Sequence, residues 1–93
     1  MSTEIRTWRV FKSSGEKVDG PINLLSIIWT GSTSAGDTCT IKEIDGEEVW
    51  EGRADGSNTY LGINFPDRGI RSGVGFEVQA ISSGKVFLYL RGM

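Results

Sequence analysis

The stretch GSTSAGDT, residues 31–38, comes close to a phosphate-binding loop. A P-loop has the pattern G-x-x-x-x-G-K-[ST], and Gly31, Gly36 and Thr38 fall on its fixed positions. Asp37 stands where the phosphate-binding lysine belongs, and its negative charge would repel a phosphate. The run that follows, TCTIKEI, alternates like a strand, whereas a phosphate loop works because a helix N-terminus follows it. The stretch is therefore predicted to be a turn between two strands, with Asp37 accepting hydrogen bonds from nearby backbone N–H groups.

The other polar residues form no recognisable catalytic or metal-binding set. Histidine, the commonest general base and metal ligand, is absent from the sequence. Serine hydroxyls are plentiful, but no nucleophile-elbow motif surrounds any of them. The carboxylates show no spacing that selects an acid–base pair, and neither residues 45–48 nor residues 55–58 match a calcium loop. We therefore expect a protein that is not an enzyme and that has no catalytic residue, cofactor site or metal site.

Length, charge and cysteine content narrow the class of protein further. The chain has 93 residues, which indicates one small domain, and its net charge of −2 comes without a basic block. Such a charge does not favour nucleic acid or an anionic membrane as a partner. The start, MSTEIRTWRVFK, lacks the apolar segment of a signal peptide, so synthesis in a cytoplasm is expected. The single cysteine, Cys39, excludes a disulfide within the chain and lies in the run TCTI, which favours a buried thiol.

Short strand-like runs separated by turn residues predict an all-β domain. The 13 glycines are about twice the usual share, which is typical of a chain with many tight turns. Asp45-Gly46 predicts one hairpin, and Ser82-Ser83-Gly84 predicts a final one. The expected architecture is a small antiparallel β-sandwich or jelly roll of about seven or eight short strands, with a flattened barrel as the alternative. The strand-like runs are residues 6–12, 22–30, 38–44, 48–54, 59–65, 75–81 and 85–91.

Two of these runs, residues 22–30 and 85–91, carry large apolar side chains on both faces. A sandwich has one interior, so the second face of each strand must be covered by something else. The cover is expected to be another subunit or residues 1–20, which would form an N-terminal arm or an edge strand beside the sandwich domain 21–93. The opposed sets are Ile22, Leu24 and Ile28 against Leu25, Ile27 and Trp29, and Val86, Leu88 and Leu90 against Lys85, Phe87, Tyr89 and Arg91.

The aromatic residues leave two interpretations open. Trp8, Trp29, Trp50, Tyr60, Phe87 and Tyr89 could form a sugar-stacking platform, as on a carbohydrate-binding sandwich. Core packing or subunit contact is the favoured interpretation, because no single run sets its aromatics in a flat outward row with amide partners. The residues expected to contact another subunit or a shell are Trp8, Val10, Phe11, Trp29, Phe87 and Tyr89.

The pattern IIWTGSTSAGDTCTI…VWEGRADGSNTYLGINF…GFEVQAISSGKVFLYL resembles the small all-β virion structural proteins of tailed bacteriophages. The shared features are a strand that ends in an aromatic-Thr-Gly turn, a Gly-Asp-Thr strand entry and a C-terminal strand of the VFLYL kind, over residues 22–91. The resemblance implies a non-enzymatic capsid decoration or cement protein, made in the host cytoplasm and located in the virion. It implies binding as a symmetric oligomer, a trimer, to itself and to other virion proteins such as a major capsid protein. A tail or fibre adaptor is the alternative, and the resemblance supplies no site residues.

Overall fold

The structure is a computed structural model that describes residues 6–66 and 69–92. Over these residues the chain forms nine strands and no helix, whereas the sequence predicted seven or eight strands. The additional strands are β2 and β7, which have three residues each and so show no alternation that a sequence pattern could reveal. The strands are β1 (Arg6–Phe11), β2 (Lys17–Asp19), β3 (Ile22–Thr30), β4 (Thr38–Glu43), β5 (Glu48–Arg53), β6 (Leu61–Asn64), β7 (Ile70–Ser72), β8 (Gly75–Ile81) and β9 (Lys85–Gly92).

The strands form two antiparallel sheets, which confirms the predicted all-β sandwich. The five-stranded sheet has the order β1-β9-β3-β6, and β7 also pairs with β3. The four-stranded sheet has the order β2-β8-β4-β5. The hairpin predicted at Asp45-Gly46 joins β4 to β5, and the residue of this pair with a positive φ is Asp45, at 59°, rather than Gly46.

The connection Ser82–Gly84 does not close a hairpin, so that prediction is wrong. β8 pairs with β2 and β4, whereas β9 pairs with β1 and β3. The three residues therefore carry the chain from one sheet to the other. Gly84 has a φ of 77°, and a Cβ at this position would overlap the carbonyl oxygen of Thr30. A short glycine-containing loop can therefore connect strands of two different sheets as well as two strands of one hairpin.

The N-terminal segment predicted as an arm or an edge strand contributes one edge strand to each sheet. β1 lies beside β9, with Phe11 opposite Val86, and β2 lies beside β8. The sandwich therefore begins before residue 21. Residues 1–5 of the predicted arm lie outside the described residues.

The two sheets enclose one apolar core. Each fully buried large side chain contributes roughly 1.5–3 kcal/mol relative to an exposed one, so this layer is the main source of stability in so short a chain. β9 shows the expected alternation, because Val86, Leu88 and Leu90 are buried whereas Phe87 and Tyr89 are directed outward. The buried apolar residues are Phe11, Val18, Leu24, Ile27, Trp29, Cys39, Ile41, Ala54, Phe76, Val78, Val86, Leu88 and Leu90.

A β-bulge in β3 explains most of the apolar character on both faces of that strand. The pairing register with β9 shifts between Leu24 and Ser26, so Leu25 is an extra residue in β3. The shift brings Leu24, Ile27 and Trp29 to the same core-facing side, where all three are buried. The sandwich's own core thereby covers side chains that simple alternation assigned to opposite faces.

Candidate functional site

The loop that resembles a phosphate-binding loop is held together by Asp37. Its carboxylate accepts hydrogen bonds from the backbone N–H of Thr33 at 3.2 Å, the backbone N–H of Ser34 at 3.0 Å and the hydroxyl of Ser83 in the β8–β9 connection. The Ser83 bond and then the bonds from residues 33 and 34 lower the pKa of Asp37 against the opposing effect of desolvation. A strand, β4, follows the loop, so no helix N-terminus is directed at it. The loop is a turn between two strands, as the sequence predicted, and it connects β3 of the five-stranded sheet to β4 of the four-stranded sheet.

Two carboxylates outside this loop, Glu43 and Glu77, have local partners. Glu43 accepts a hydrogen bond from the hydroxyl of Ser72, and Glu77 forms an ion pair of 3.4 Å with Lys42. Within residues 6–66 and 69–92, no three His, Cys, Asp or Glu side chains are grouped so that they could hold a metal ion. This part of the chain also contains no helix with the length and apolarity that a membrane span requires.

The outward side of the five-stranded sheet carries a continuous apolar and aromatic cluster. The register of β1, β9 and β3 places Trp8 opposite Tyr89 and Val10 opposite Phe87, with Phe87 in turn opposite Ile28. These side chains occupy neighbouring positions on adjacent strands, on the side of the sheet that faces away from the core. We call this surface the outer aromatic face, and it consists of Trp8, Val10, Ile28, Tyr60, Phe87 and Tyr89.

Much of the outer aromatic face is exposed. The exposed fractions are 45% for Trp8, 43% for Val10 and 67% for Tyr60. The rings of Trp8 and Tyr89 are stacked, with their centroids 4.6 Å apart and their planes at 29°. The Lys85 ammonium lies 6.0 Å from the centroid of the Phe87 ring, at the border of the cluster. The ring stacking restricts the orientation of two large side chains in the free chain.

Two adjoining depressions shape this surface. The first has a volume of about 510 Å³ and is lined by Trp8, Val10, Ile28, Thr30, Tyr60 and Phe87. The second has a volume of about 470 Å³, shares Ile28 and Tyr60 with the first and extends over Gly62 to Asn64. A Cβ at Gly62 would lie 3.0 Å from the carbonyl oxygen of Ile27, so a side chain at this position would make a close contact with the neighbouring strand. At its edge, the Ser26 hydroxyl donates a 2.7 Å hydrogen bond to the amide oxygen of Asn64.

Four of the six predicted contact residues lie together on the outer aromatic face: Trp8, Val10, Phe87 and Tyr89. The other two do not, and we remove them from the candidate surface. Phe11 is 4% exposed and Trp29 is fully buried in the core, where its indole N–H donates a 3.0 Å hydrogen bond to the Ser83 carbonyl. Phe11 pairs with the buried Val86, and the bulge in β3 turns Trp29 inward.

Two residues of the outer aromatic face, Ile28 and Tyr60, were absent from the predicted contact set. Their membership depends on β3 lying between β9 and β6, which no local pattern specifies. Tyr60, Gly62 and Asn64 stand at alternate positions of the run 59–65, and alternation within a strand places such residues on one face. Trp50, which the sequence grouped with the aromatics, packs half-buried against the core in the four-stranded sheet.

Comparisons with protein-family models, with curated proteins and with solved structures find no match for this chain.

Proposed function

We propose that the protein is a non-enzymatic subunit of a larger protein assembly and that the outer aromatic face is its attachment surface. One observation carries the proposal. The five-stranded sheet buries one side in the core, yet on its other side it exposes Trp8, Val10 and Tyr60 in a continuous cluster. Exposed apolar clusters of this kind mark sites of association. Trp and Tyr are also the side chains that contribute most to the centres of protein–protein interfaces.

Within this class, we propose a capsid decoration or cement protein of a tailed bacteriophage. It binds the shell as a symmetric oligomer, a trimer, and the major capsid protein is its other partner. The resemblance over residues 22–91 and the small sandwich with one apolar outer face support this function. A multivalent oligomer gains avidity from several weak contacts, which suits a subunit of this size. A tail or fibre adaptor would use the same face and would differ only in its partner.

The attachment surface is tested by co-sedimentation with undecorated shells made from the major capsid protein of the same genome. Wild-type protein is expected to pellet with the shells, and Trp8→Thr/Val10→Thr is expected to stay in the supernatant. Threonine suits a strand, so the double variant keeps β1 intact. Val74→Thr is the matched control, because it removes an exposed apolar side chain outside the face and should pellet like wild type.

Three outcomes contradict parts of this proposal. Pelleting of the double variant as complete as that of wild type would show that another surface binds the shell. Binding to purified tails but not to shells would favour the adaptor. A monomeric mass at high protein concentration, measured by analytical ultracentrifugation, would rule out the symmetric oligomer.

A carbohydrate-binding module is a second candidate, and the depression over Gly62 favours it. The exposed Tyr60 and Asn64 both line this depression, and the amide of Asn64 accepts a hydrogen bond from the hydroxyl of Ser26, which gives the aromatic and amide groups that sugar sites use. A glycan array tests this function with wild type, Tyr60→Ala and Val74→Thr as the control. An array without hits removes the candidate, as does a hit that Tyr60→Ala leaves unchanged.

A further inference from the structure

One edge of the five-stranded sheet lacks the features that usually keep an edge strand from pairing. Such a strand presents unpaired backbone N–H and C=O groups, and charged side chains or proline normally prevent another strand from adding to it. Within residues 6–66 and 69–92, the strands with a neighbour on one side only are β1, β2, β5, β6 and β7. β6, with the sequence LGIN, is the one among them without a charged residue. The others contain Arg6 and Arg9 in β1, Lys17 and Asp19 in β2, Glu48, Glu51 and Arg53 in β5, and Arg71 in β7.

The inward sides of β1 and β6 show the difference most clearly. In β1, Arg9 shares the inward side with the buried Phe11, and its guanidinium lies 5.8 Å from the centroid of that ring. A charge on the inward side of an edge strand opposes the addition of a further strand, which would take the charge out of water. β6 has Leu61 and Ile63 on its inward side, and Ile63 is 38% exposed there. β6 is therefore the edge at which an added strand would cover apolar surface and no charge.

The backbone groups at the free edge of β6 belong to Gly62 and Asn64. In an antiparallel ladder, residues whose N–H and C=O groups point toward the partner strand alternate with residues whose groups point away. Phe65 donates its N–H to the carbonyl oxygen of Leu25 in β3 at 2.9 Å, so Ile63 also directs its groups toward β3. Gly62 and Asn64 direct theirs away from β3, and both residues are exposed. The depression of about 470 Å³ follows this strand and is lined by all four of its residues.

We infer that β6 pairs antiparallel with β6 of a second copy of this chain across a two-fold axis, which joins two five-stranded sheets edge to edge. Gly62 lies on the axis opposite its own copy, so two residues without side chains meet there. Leu61 lies opposite Ile63 of the second copy on the inward side, where each apolar side chain covers the other. Tyr60 lies opposite Asn64 of the second copy on the outward side. The free backbone groups of Gly62 and Asn64 thereby gain hydrogen-bond partners.

The pairing is self-complementary, which is what a two-fold contact requires. β6 is uncharged, so joining it to its own copy brings no like charges of the two strands together. The other two-fold register, with Ile63 on the axis, would place Tyr60 opposite Pro66, which has no N–H to donate. A shift by a single residue would place inward side chains opposite outward ones. These features favour a second copy over a strand of another protein.

This contact goes beyond the proposed function and does not depend on it. Strand pairing uses the edge of the sheet, so the outer aromatic face stays available for attachment. A two-fold contact does not close a trimer. In the proposed assembly it links neighbouring trimers on the shell.

Disulfide trapping in the inferred register tests the pairing. A short strand contact is far smaller than a standard interface of about 20–30 residues per side, so trapping is more sensitive than a mass measurement. Tyr60→Cys and Asn64→Cys are prepared as separate proteins, mixed and treated with oxidised glutathione. Residues opposite each other in a hydrogen-bonded antiparallel pair have Cα atoms about 5.5 Å apart, which suits a disulfide. The mixture should form the mixed disulfide dimer at least about tenfold faster than either variant alone forms a dimer, because pairing raises the local thiol concentration. The natural Cys39 is buried and stays out of the reaction.

Two control mixtures separate strand pairing from random collision. Tyr60→Cys/Asn64→Pro mixed with Asn64→Cys should lose the acceleration, because proline removes an N–H at the free edge and leaves the bonds between β6 and β3 in place. Circular dichroism checks that the proline variant is folded, and Tyr60→Cys/Ile63→Lys replaces it if it is not. Glu51→Cys mixed with Arg53→Cys, on exposed residues of the charged edge strand β5, should react no faster than its separate components.

Three results would overturn the inference. The first is a Tyr60→Cys and Asn64→Cys mixture that oxidises no faster than the separate variants. The second is an acceleration that the proline variant keeps or that the β5 mixture shares. The third is loss of shell pelleting by Asn64→Pro without acceleration in the cysteine mixture, which would assign the β6 edge to the shell protein. Failure of the proposed function is a separate observation, because it appears as shell binding that Trp8→Thr/Val10→Thr does not change.

Discussion

Two carboxylates fix loop conformations through charged hydrogen bonds. Asp37 holds the β3–β4 loop, and Glu16 accepts hydrogen bonds from the backbone N–H groups of Lys12 at 2.7 Å and Ser13 at 2.9 Å. The backbone bond from Ser13 and then that from Lys12 lower the pKa of Glu16, as the Ser83 hydroxyl does for Asp37. Such bonds form only with the ionised carboxylate at full strength, so both loops are coupled to pH.

The acid sensitivity of folding should follow from these two groups. Both folded-state pKa values lie below the ordinary 4.5 of Glu16 and 3.8 of Asp37, so their stabilisation is present above those values. It is lost as the pH falls through the lowered folded-state values. Thermal unfolding from pH 7 to pH 2 should show a lower midpoint for Asp37→Asn/Glu16→Gln at pH 7 and convergence with wild type in acid. Glu47→Gln, an exposed turn carboxylate, is the control and should run parallel to wild type. Equal acid losses in the double variant and wild type would contradict this assignment.

The thiol of Cys39 should be chemically silent in the folded protein. It is fully buried in the core, and desolvation raises its pKa from the ordinary 9.0 to about 12. Because the thiolate is the reactive form, 5,5′-dithiobis(2-nitrobenzoic acid) at pH 8 should label no native protein and one thiol per chain in denaturant. Rapid labelling of native protein would show that the strand pair around β4 opens readily.

At the scale of elements, the sequence predicted the positions of the strands better than it predicted which strands pair with each other. Strand-like runs bounded by turn residues located every strand that has four or more residues, and Asp45-Gly46 located the β4–β5 hairpin because that turn has its own chemistry. The partners of β8 and β9 could not be found in this way, since a short glycine loop permits either a hairpin or a crossing. The bulge at Leu25 was equally hidden, because the extra residue shifts the register without changing the composition.

The same limit applies to the candidate site. The outward positions of β9 were correct because they depend only on alternation within one strand. Ile28 and Tyr60 belong to the surface because β3 lies between β9 and β6. Trp29 does not belong to it, because the bulge in β3 places Trp29 on the core-facing side. Properties within one strand were therefore predictable, and properties that require two strands in a given register were not.

Glycines at element ends should differ sharply in their tolerance of a side chain. Gly75 begins β8 with a φ of 113°, and a Cβ there would overlap the Val18 carbonyl oxygen of β2. Gly36 has a φ of 90° but no atom within 4 Å of the same position. Gly75→Ala should therefore lower the free energy of unfolding by more than about 3 kcal/mol, and Gly36→Ala by about 1 kcal/mol from backbone strain alone. Urea unfolding measures both, and equal losses would mean that β2 moves away at little cost.

At the scale of the whole molecule, the net charge does not reveal that acidic and basic residues are unevenly distributed between the two sheets. A value of −2 argued against polyanionic partners, yet the five-stranded sheet has no acidic residue in any of its strands. Composition sums over surfaces that face in opposite directions, whereas a partner meets one surface at a time. Segregation of charge by sheet becomes visible only when strand order is known.

A side chain that serves association rather than folding should contribute little to the free energy of unfolding of the isolated subunit. Substitutions on the two sides of the five-stranded sheet should therefore differ in their effect on stability. Leu88 and Phe87 are neighbours in β9, but Leu88 faces the core while Phe87 belongs to the outer aromatic face with Trp8 and Val10. Leu88→Ala should lower the free energy of unfolding by about 2–5 kcal/mol. Trp8→Thr/Val10→Thr removes more apolar surface, yet each site should cost less than Leu88→Ala, because Trp8 and Val10 are 45% and 43% exposed in the free subunit whereas Leu88 is fully buried. Urea unfolding of the isolated protein measures these losses. A loss in the double variant as large as that of Leu88→Ala would mean that the outer aromatic face stabilises the subunit itself. The double variant would then not separate loss of binding from loss of folding.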